Sequence, residues 1–356
     1  MSVPVAGPVL VIGSGLLGAS VGLSLRRAGV QVWLDDADPA ALAAAVGRGA
    51  GDPWQPGSGE PRLVVVAVPP ASAGEVMARA SRWGSATITD VTSVKSEPLA
   101  AAVAAGADPS RLVGGHPMAG RETAGAAAAR QDLFDDRVWV ISPLAETDSD
   151  RADEIRDLAI TCGAVPVVMA PEEHDRAVAL TSHAPQVISS LLAARLISAD
   201  DRSVSVSGQG LRDMTRIAES DPMLWQEILA ANAASVADVL EAFADDLGEV
   251  VADLRAGQGQ VVMDALERGN AGRERVPGKH GDAATAYDVV TAIVKDEPGE
   301  LASLFVAAGE LGVNLEDVRI DHVLGRPSGL IELSVRPEVS GRLREGLVSM
   351  GFDVRA

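Results

Sequence analysis

The stretch "PVLVIGSGLLGAS", residues 8–20, limits the fold of this chain more than any other. "PVLVIG" is a short continuous apolar run, the pattern of a strand buried on both faces. It leads directly into G-x-G-x-x-G at Gly13, Gly15 and Gly18. A helical segment follows, with Leu17, Val21 and Leu25 at helical spacing and Gly29 as its stop signal. In that setting Gly13 permits a tight turn and Gly15 lets backbone approach a pyrophosphate. Gly18 lets the helix pack closely on the strand, and the first N–H groups of the helix are free to meet phosphate. Leu16 and Leu17, which open the helix, count with the glycines as cofactor-binding positions. The second strand, "VQVWLDD", ends in two acids. An acid there accepts from both ribose hydroxyls and repels a 2′-phosphate, so NAD is expected rather than NADP. Asp36-Ala37-Asp38-Pro39 reads as the strand-end acid followed by a helix start, which favours Asp36 over Asp35.

Strands and helices keep alternating through "RLVVVAVPP", "ATITDVTS", "RVWVISP" and "AVPVVMAP", as in a doubly wound parallel sheet of Rossmann type over residues 1–170. Residues 51–61 read as a loop. From Pro171 the signals are helical, and residues 171–270 are expected to form an all-helical substrate and dimerisation domain. Residues 271–284 are polar and without periodicity, as in a linker. Residues 285–356 give the order β-α-β-β-α-β, a ferredoxin-like α+β unit.

A net charge of −20 argues against nucleic acid and anionic membranes as partners. It also requires a local basic pocket for any anionic substrate. The single cysteine, Cys162, excludes an internal disulfide and fits the reducing cytoplasm. The N-terminus lacks the basic region of a secretory signal, and no run of 18 apolar residues is present, so no membrane span is expected.

The chain has five histidines, and one sits in "GGHPMAG" between two glycines and a proline. That neighbourhood reads as a forced bend just after the short strand "RLVGG", where ligands gather at the carboxyl ends of a parallel sheet. His116 is therefore a candidate base for an alcohol that loses hydride, and Ser93, at the end of "ATITDVTS", can reach the same crevice. His174 and His183 are nine residues apart, half a turn out of phase on one helix, so no metal is implied.

The motifs "VIGSGLLGAS", "DVTSVK", "GGHPMAGRETAG", "LTSHAPQ", "RDMTRIAESDPMLW" and "DEPGELASL" occur in an order that resembles prephenate dehydrogenases with a C-terminal ACT domain. The resemblance covers essentially the whole chain. It implies NAD-dependent oxidative decarboxylation of prephenate to 4-hydroxyphenylpyruvate. It also implies that His116 accepts the ring hydroxyl, that Ser93 orients His116 and substrate, and that Arg216 holds a carboxylate. Asp213, three residues earlier, is expected to fix Arg216 from the same helix face. Glu122 resembles a family acid at the pocket entrance. His183 keeps the first histidine of Ser-His-x-Pro-His, while Gln186 replaces the second; an amide cannot carry charge there. The substitution leaves arogenate open as the alternative substrate. The tail resembles amino-acid-binding ACT domains, with Gly312 and Asn314 in the ligand loop and tyrosine as the expected inhibitor. A homodimer is expected from the apolar helices of residues 222–254. A hydroxy-acid dehydrogenase is disfavoured because "LTSHAPQ" offers no catalytic lysine. A non-enzymatic nucleotide and amino-acid sensor would have no use for Ser93, His116 and Arg216 together.

Overall fold

A computed structural model describes residues 5–120, 125–276, 287–322 and 328–355. The chain divides into two compact units, Met1–Ala244 and Asp245–Ala356. In the first, strands β1 (Val9–Ile12), β2 (Val32–Asp35), β3 (Asp52–Pro53), β4 (Leu63–Val66), β5 (Thr87–Asp90), β6 (Leu112–Pro117), β7 (Val138–Pro143) and β8 (Val165–Val168) form one sheet. Their order is β3-β2-β1-β4-β5-β6-β7-β8. β1 to β6 run parallel, as the alternating pattern predicts, but β7 lies antiparallel to β6 and β8 follows β7, so the sheet is mixed. The segment read as a loop at residues 51–61 contributes β3, a two-residue edge strand. Pro53 is tolerated there because an edge leaves one side of the ladder unpaired.

Helices α1 (Leu16–Arg27), α2 (Pro39–Gly47), α3 (Pro70–Ala80), α4 (Ser96–Ala104) and α5 (Ser149–Thr161) flank the sheet. Apolar clusters occupy its two faces: Val9, Val11, Val32 and Leu34 in one, Leu10, Val64, Val66 and Ile88 in the other. Alternate residues of the same strands enter opposite clusters, which is why these strands are apolar throughout. Asp38 caps α2, its carboxylate accepting from Ala40 N at 2.8 Å with Pro39 following, as expected from the sequence.

Beyond β8 the chain is helical: α6 (Pro171–Val178), a wide turn of i→i+5 type at Ala179–His183, α7 (Ala184–Arg195), α8 (Asp201–Val204), α9 (Gln209–Thr215), α10 (Pro222–Ala231), α11 (Ala233–Ala256) and α12 (Gln260–Glu274). The helix Pro171–Ser198 is long and apolar enough to cross a membrane by length and composition, where the sequence reading found no such run. Buried polar groups interrupt it: His174, Asp175, His183 and Gln186. α12 runs to Glu274, into the segment expected to be a linker, because Ala271, Arg273 and Glu274 favour helix enough to carry Gly272.

After α12 come β9 (Asp288–Lys295), α13 (Glu300–Glu310), β10 (Asp317–His322), β11 (Ser328–Val335), α14 (Pro337–Ser349) and β12 (Asp353–Arg355), in the predicted order. The four strands form an antiparallel sheet in the order β10-β11-β9-β12. Inward residues Val290, Ala292, Ile331 and Leu333 meet Leu304 of α13 and Leu343 of α14 in a separate core.

Candidate active site

The nucleotide end is built by the turn between β1 and α1. Gly13 has φ +101°, a conformation that favours glycine, and a Cβ there would collide with Ala67 O. A Cβ on Gly18 would collide with Gly13 O, so the helix can sit this close to the strand only without one. Gly15 is different: nothing lies within 4 Å of where its Cβ would stand. Among the described residues no side chain caps α1, and Ser14 Oγ in the same turn is buried without a hydrogen-bond partner. An uncapped helix N-terminus beside open space fits a pyrophosphate. Asp36 turns its carboxylate onto the loop, accepting from Ser14 N and from Asp38 N (2.8 Å). Asp35 lines a pocket with Ile12, Val76, Arg79 and Trp83. These features fit a bound dinucleotide, with Asp36 placed at the loop.

His116 lies inside β6, opposite Val140 of β7, and not in a bend beyond the strand. Neither Gly114 nor Gly115 has a positive φ. They are small for want of room. A Cβ on Gly114 would come 2.9 Å from Lys95 Cδ, and one on Gly115 would come 2.5 Å from Asp90 O. Behind them, Asp90 and Lys95 form a fully buried ion pair. Asp90 Oδ1 accepts from Gly115 N at 3.1 Å and Lys95 Nζ donates to Gly115 O at 2.6 Å. Both polar groups of the residue before His116 are thereby fixed. Burial pulls the Lys95 ammonium pKa below its ordinary value, against the attraction of Asp90.

The partner of His116 differs from expectation. Among the described residues no hydrogen bond joins Ser93 to His116. Ser93 stands after β5, outside the strand, and it is His174 of α6 that reaches the imidazole. His116 Nδ1 and His174 Nε2 are 2.8 Å apart, with the rings edge-on at 72°. His174 Nδ1 lies 2.8 Å from Asp175 Oδ1. The Asp175 carboxylate also accepts from Lys95 N and Ser96 N, each at 2.8 Å. Burial alone would raise the Asp175 carboxyl; hydrogen bonds from His174, Ser96 and Lys95 outweigh it and hold the pKa below the ordinary value. Burial, with His174, Lys95 and His183 nearby, holds the His116 imidazole well below its usual range, so it is neutral at physiological pH. The sequence signal for His174 was present: "PEEHD" sets a histidine beside an acid at the start of an otherwise apolar helix.

Expected out of phase with His174, His183 is brought into the same network by the wide turn that precedes α7. Asn232 Nδ2 donates to Asp175 O at 2.7 Å and meets His183 Nδ1 at 3.2 Å. Burial lowers the His183 pKa to about 4.

Gln186 on α7 donates through Nε2 to Ser220 Oγ at 2.8 Å. The turn Arg216–Ala218 lies against α7 and Arg216 is exposed. The expected Asp213–Arg216 pair is not formed among the described residues. Asp213 lies in α9 and Arg216 opens the tighter turn Arg216–Ala218, so the two do not share one regular helix. Asp213 accepts from Gln209 Nε2 at 3.0 Å instead. Glu122 lies outside the described residues. In the second unit Gly312, at φ +64°, ends α13, and Asn314 Nδ2 donates to Glu316 Oε1 at 3.2 Å.

Comparison with known proteins agrees with this geometry. Residues 21–168 match the family model for the prephenate dehydrogenase nucleotide-binding domain, and residues 170–268 match the prephenate dehydrogenase dimerization domain. The probable prephenate dehydrogenase NovF of Streptomyces niveus is 37% identical over 340 residues, 92% of this chain and 94% of its own length. The prephenate dehydrogenase of Bacillus subtilis is 24% identical over 93% of this chain and 92% of its own. The solved prephenate dehydrogenase of Aquifex aeolicus, in complex with hydroxyphenyl propionate and NAD+, superimposes with a TM-score of 0.67 at 27% identity, over 77% of this chain and 98% of that one. Two consecutive domain matches and full-length similarity to NovF establish that the chain belongs to the prephenate dehydrogenase family.

Proposed function

We propose that the protein catalyses the oxidative decarboxylation of prephenate to 4-hydroxyphenylpyruvate, on the route to tyrosine. The enzyme is an NAD-dependent dehydrogenase. One observation carries the substrate step: a neutral imidazole within strand β6 whose Nδ1 is engaged by a buried histidine. Prephenate bears a ring alcohol and a ring carboxylate on opposite carbons of a cyclohexadiene. Loss of hydride from the alcohol carbon creates an electron sink, and departure of carbon dioxide then gives an aromatic ring. NAD, when bound, takes the hydride. The chain supplies the rest: Gly13, Gly15, Leu16, Leu17, Gly18 and Asp36 hold the cofactor. His116 accepts the hydroxyl proton, and Ser93, which has no hydrogen bond to His116 among the described residues, holds the substrate hydroxyl. Arg216 supplies the guanidinium that a dianionic substrate requires from a chain of net charge −20. Glu122 is assigned to the pocket entrance, Asp213 to the substrate-binding set with Arg216, and His183 and Gln186 to the substrate wall.

Residues 1–170 form the nucleotide domain and 171–270 the substrate and dimerisation domain; 271–284 link them to a ferredoxin-like ACT module at 285–356. The module binds tyrosine near Gly312 and Asn314 and inhibits. The protein is a cytoplasmic homodimer. Its dimer face includes the exposed Phe243, Leu247 and Leu254 of α11.

Arogenate is the second reading, and Gln186 favours it. With Nε2 given to Ser220, the amide oxygen Oε1 has no hydrogen-bond partner among the described residues and can accept from an ammonium, the group arogenate has in place of the side-chain ketone of prephenate.

The test follows reduced-cofactor absorbance with NAD and each compound in turn. Turnover of prephenate supports the first reading, exclusive turnover of arogenate the second, and none with either refutes both. His116→Asn is expected to keep NAD binding and lower kcat by about 10²–10⁴-fold.

A further inference from the structure

His174 is fully buried, lies on no expected catalytic motif and still spends both ring nitrogens on defined partners. The hydrogen-bond pattern fixes its tautomer. Asp175 Oδ1 is a carboxylate oxygen, so His174 Nδ1 donates to it. The Nε2 of a neutral His174 is then an acceptor, and the group facing it at 2.8 Å, His116 Nδ1, donates. The lone pair of His116 is consequently on Nε2. Asp175 cannot swing away, because Oδ1 also accepts from Lys95 N and Oδ2 from Ser96 N, at the start of α4.

We propose that His174 and Asp175 are positioning residues that make His116 a relayed base, an inference that rests on the dehydrogenase reading above. When His116 Nε2 takes the proton from the substrate hydroxyl, the proton on His116 Nδ1 moves to His174 Nε2. One N–H bond forms at each of the two Nε2 atoms, and the O–H bond and the His116 Nδ1–H bond break. His116 is left neutral in its other tautomer, and the positive charge resides on His174 against the Asp175 carboxylate. The charge thus leaves the vicinity of the hydride-transfer site for a buried ion pair that already exists in outline. The other charged or titratable groups facing His116 are Lys95 and Asp90, at and beyond the end of β5, and His183 on the wide turn. Lys95 and His183 oppose a cation on His116 itself, which strengthens the case for moving it.

The experiment uses full-length protein labelled with ¹⁵N-histidine, whose five histidines are few enough to assign by substitution. Two-bond ¹H–¹⁵N correlations at neutral pH are expected to show Nδ1–H on both His116 and His174. His174→Gln keeps an acceptor for His116 but cannot hold a proton. It is expected to lower kcat about 10–100-fold, leave KM and NAD affinity within about twofold, and move the acid limb of the kcat profile to lower pH, because Asp175 no longer supports protonation through the pair. Asp175→Asn should move the limb in the same direction; circular dichroism checks that its lost backbone contacts have not unfolded α4. A His116 tautomer with the proton on Nε2 overturns the relay. So does a kcat within twofold of wild type for His174→Gln, or a lower kcat with an unmoved acid limb. Should the protein turn over neither prephenate nor arogenate, the substrate reading fails on its own, and the tautomers still decide the relay.

Discussion

Gly15 and Gly18 sit three residues apart in one turn, yet a methyl group added to each meets opposite surroundings. Gly18→Ala drives its Cβ into Gly13 O, a backbone atom that cannot move aside cheaply, and should cost at least about 1–3 kcal/mol of stability. Gly15→Ala meets nothing and has φ −70°, so stability should change by less than about 0.5 kcal/mol while NAD affinity falls, the methyl standing where phosphate approaches. Thermal melts and calorimetric NAD titration of the two variants check the contrast; equal behaviour in both assays removes the assigned roles. The same distinction explains what could be read at His116. The sequence flagged Gly114 and Gly115 as special, and they are, but as space for the buried Asp90–Lys95 pair behind them. A sequence displays small residues without saying whether conformation or crowding demands them. Nor could it choose the partner of His116, since Ser93 and His174 are both polar residues bordering apolar segments. Only the path of α6 across the sheet decides between them.

The helix Pro171–Ser198 shows how an element departs from its ideal period. Pro185 has no N–H to return to residue 181 and would crowd a regular turn there. The i→i+5 turn at Ala179–His183 accommodates it, and wide turns of this kind recur at functional sites. Helical periodicity correctly announced the helix, but phase arithmetic with 3.6 residues per turn does not carry across the wide turn. Burying His183 has a thermodynamic signature. Its pKa is about 4 when folded and about 6.5 when unfolded, so above pH 6.5 both states are neutral. As pH falls from 6.5 towards 4 the unfolded chain takes up the proton first, and stability is lost across that interval, by up to about 3 kcal/mol. Urea denaturation of wild type and His183→Gln between pH 4 and 7 should show a flatter pH dependence in the variant. Parallel curves would contradict the burial.

At the scale of the whole molecule, the chain divides into two units with different contents. The sheet and its helices contain the nucleotide turn and the imidazole network, whereas the four-stranded antiparallel sheet after residue 286 carries Gly312 and Asn314 beside it in sequence. A chain ending at Val276 is expected to keep its turnover and lose inhibition by tyrosine. Dose–response curves for the two lengths check this, and equal inhibition of both would place the effector site elsewhere. The element order of the tail was legible because each strand alternates and each helix has a clear start and stop. The reversed direction of β7 was not, since apolar runs look alike whichever way they are threaded. The last sheet, with α13 and α14, closes over an apolar layer of its own. A core closed on itself in this way draws none of its clustered residues from upstream of β9, so removing the tail is expected to leave the apolar clusters of the eight-stranded sheet complete.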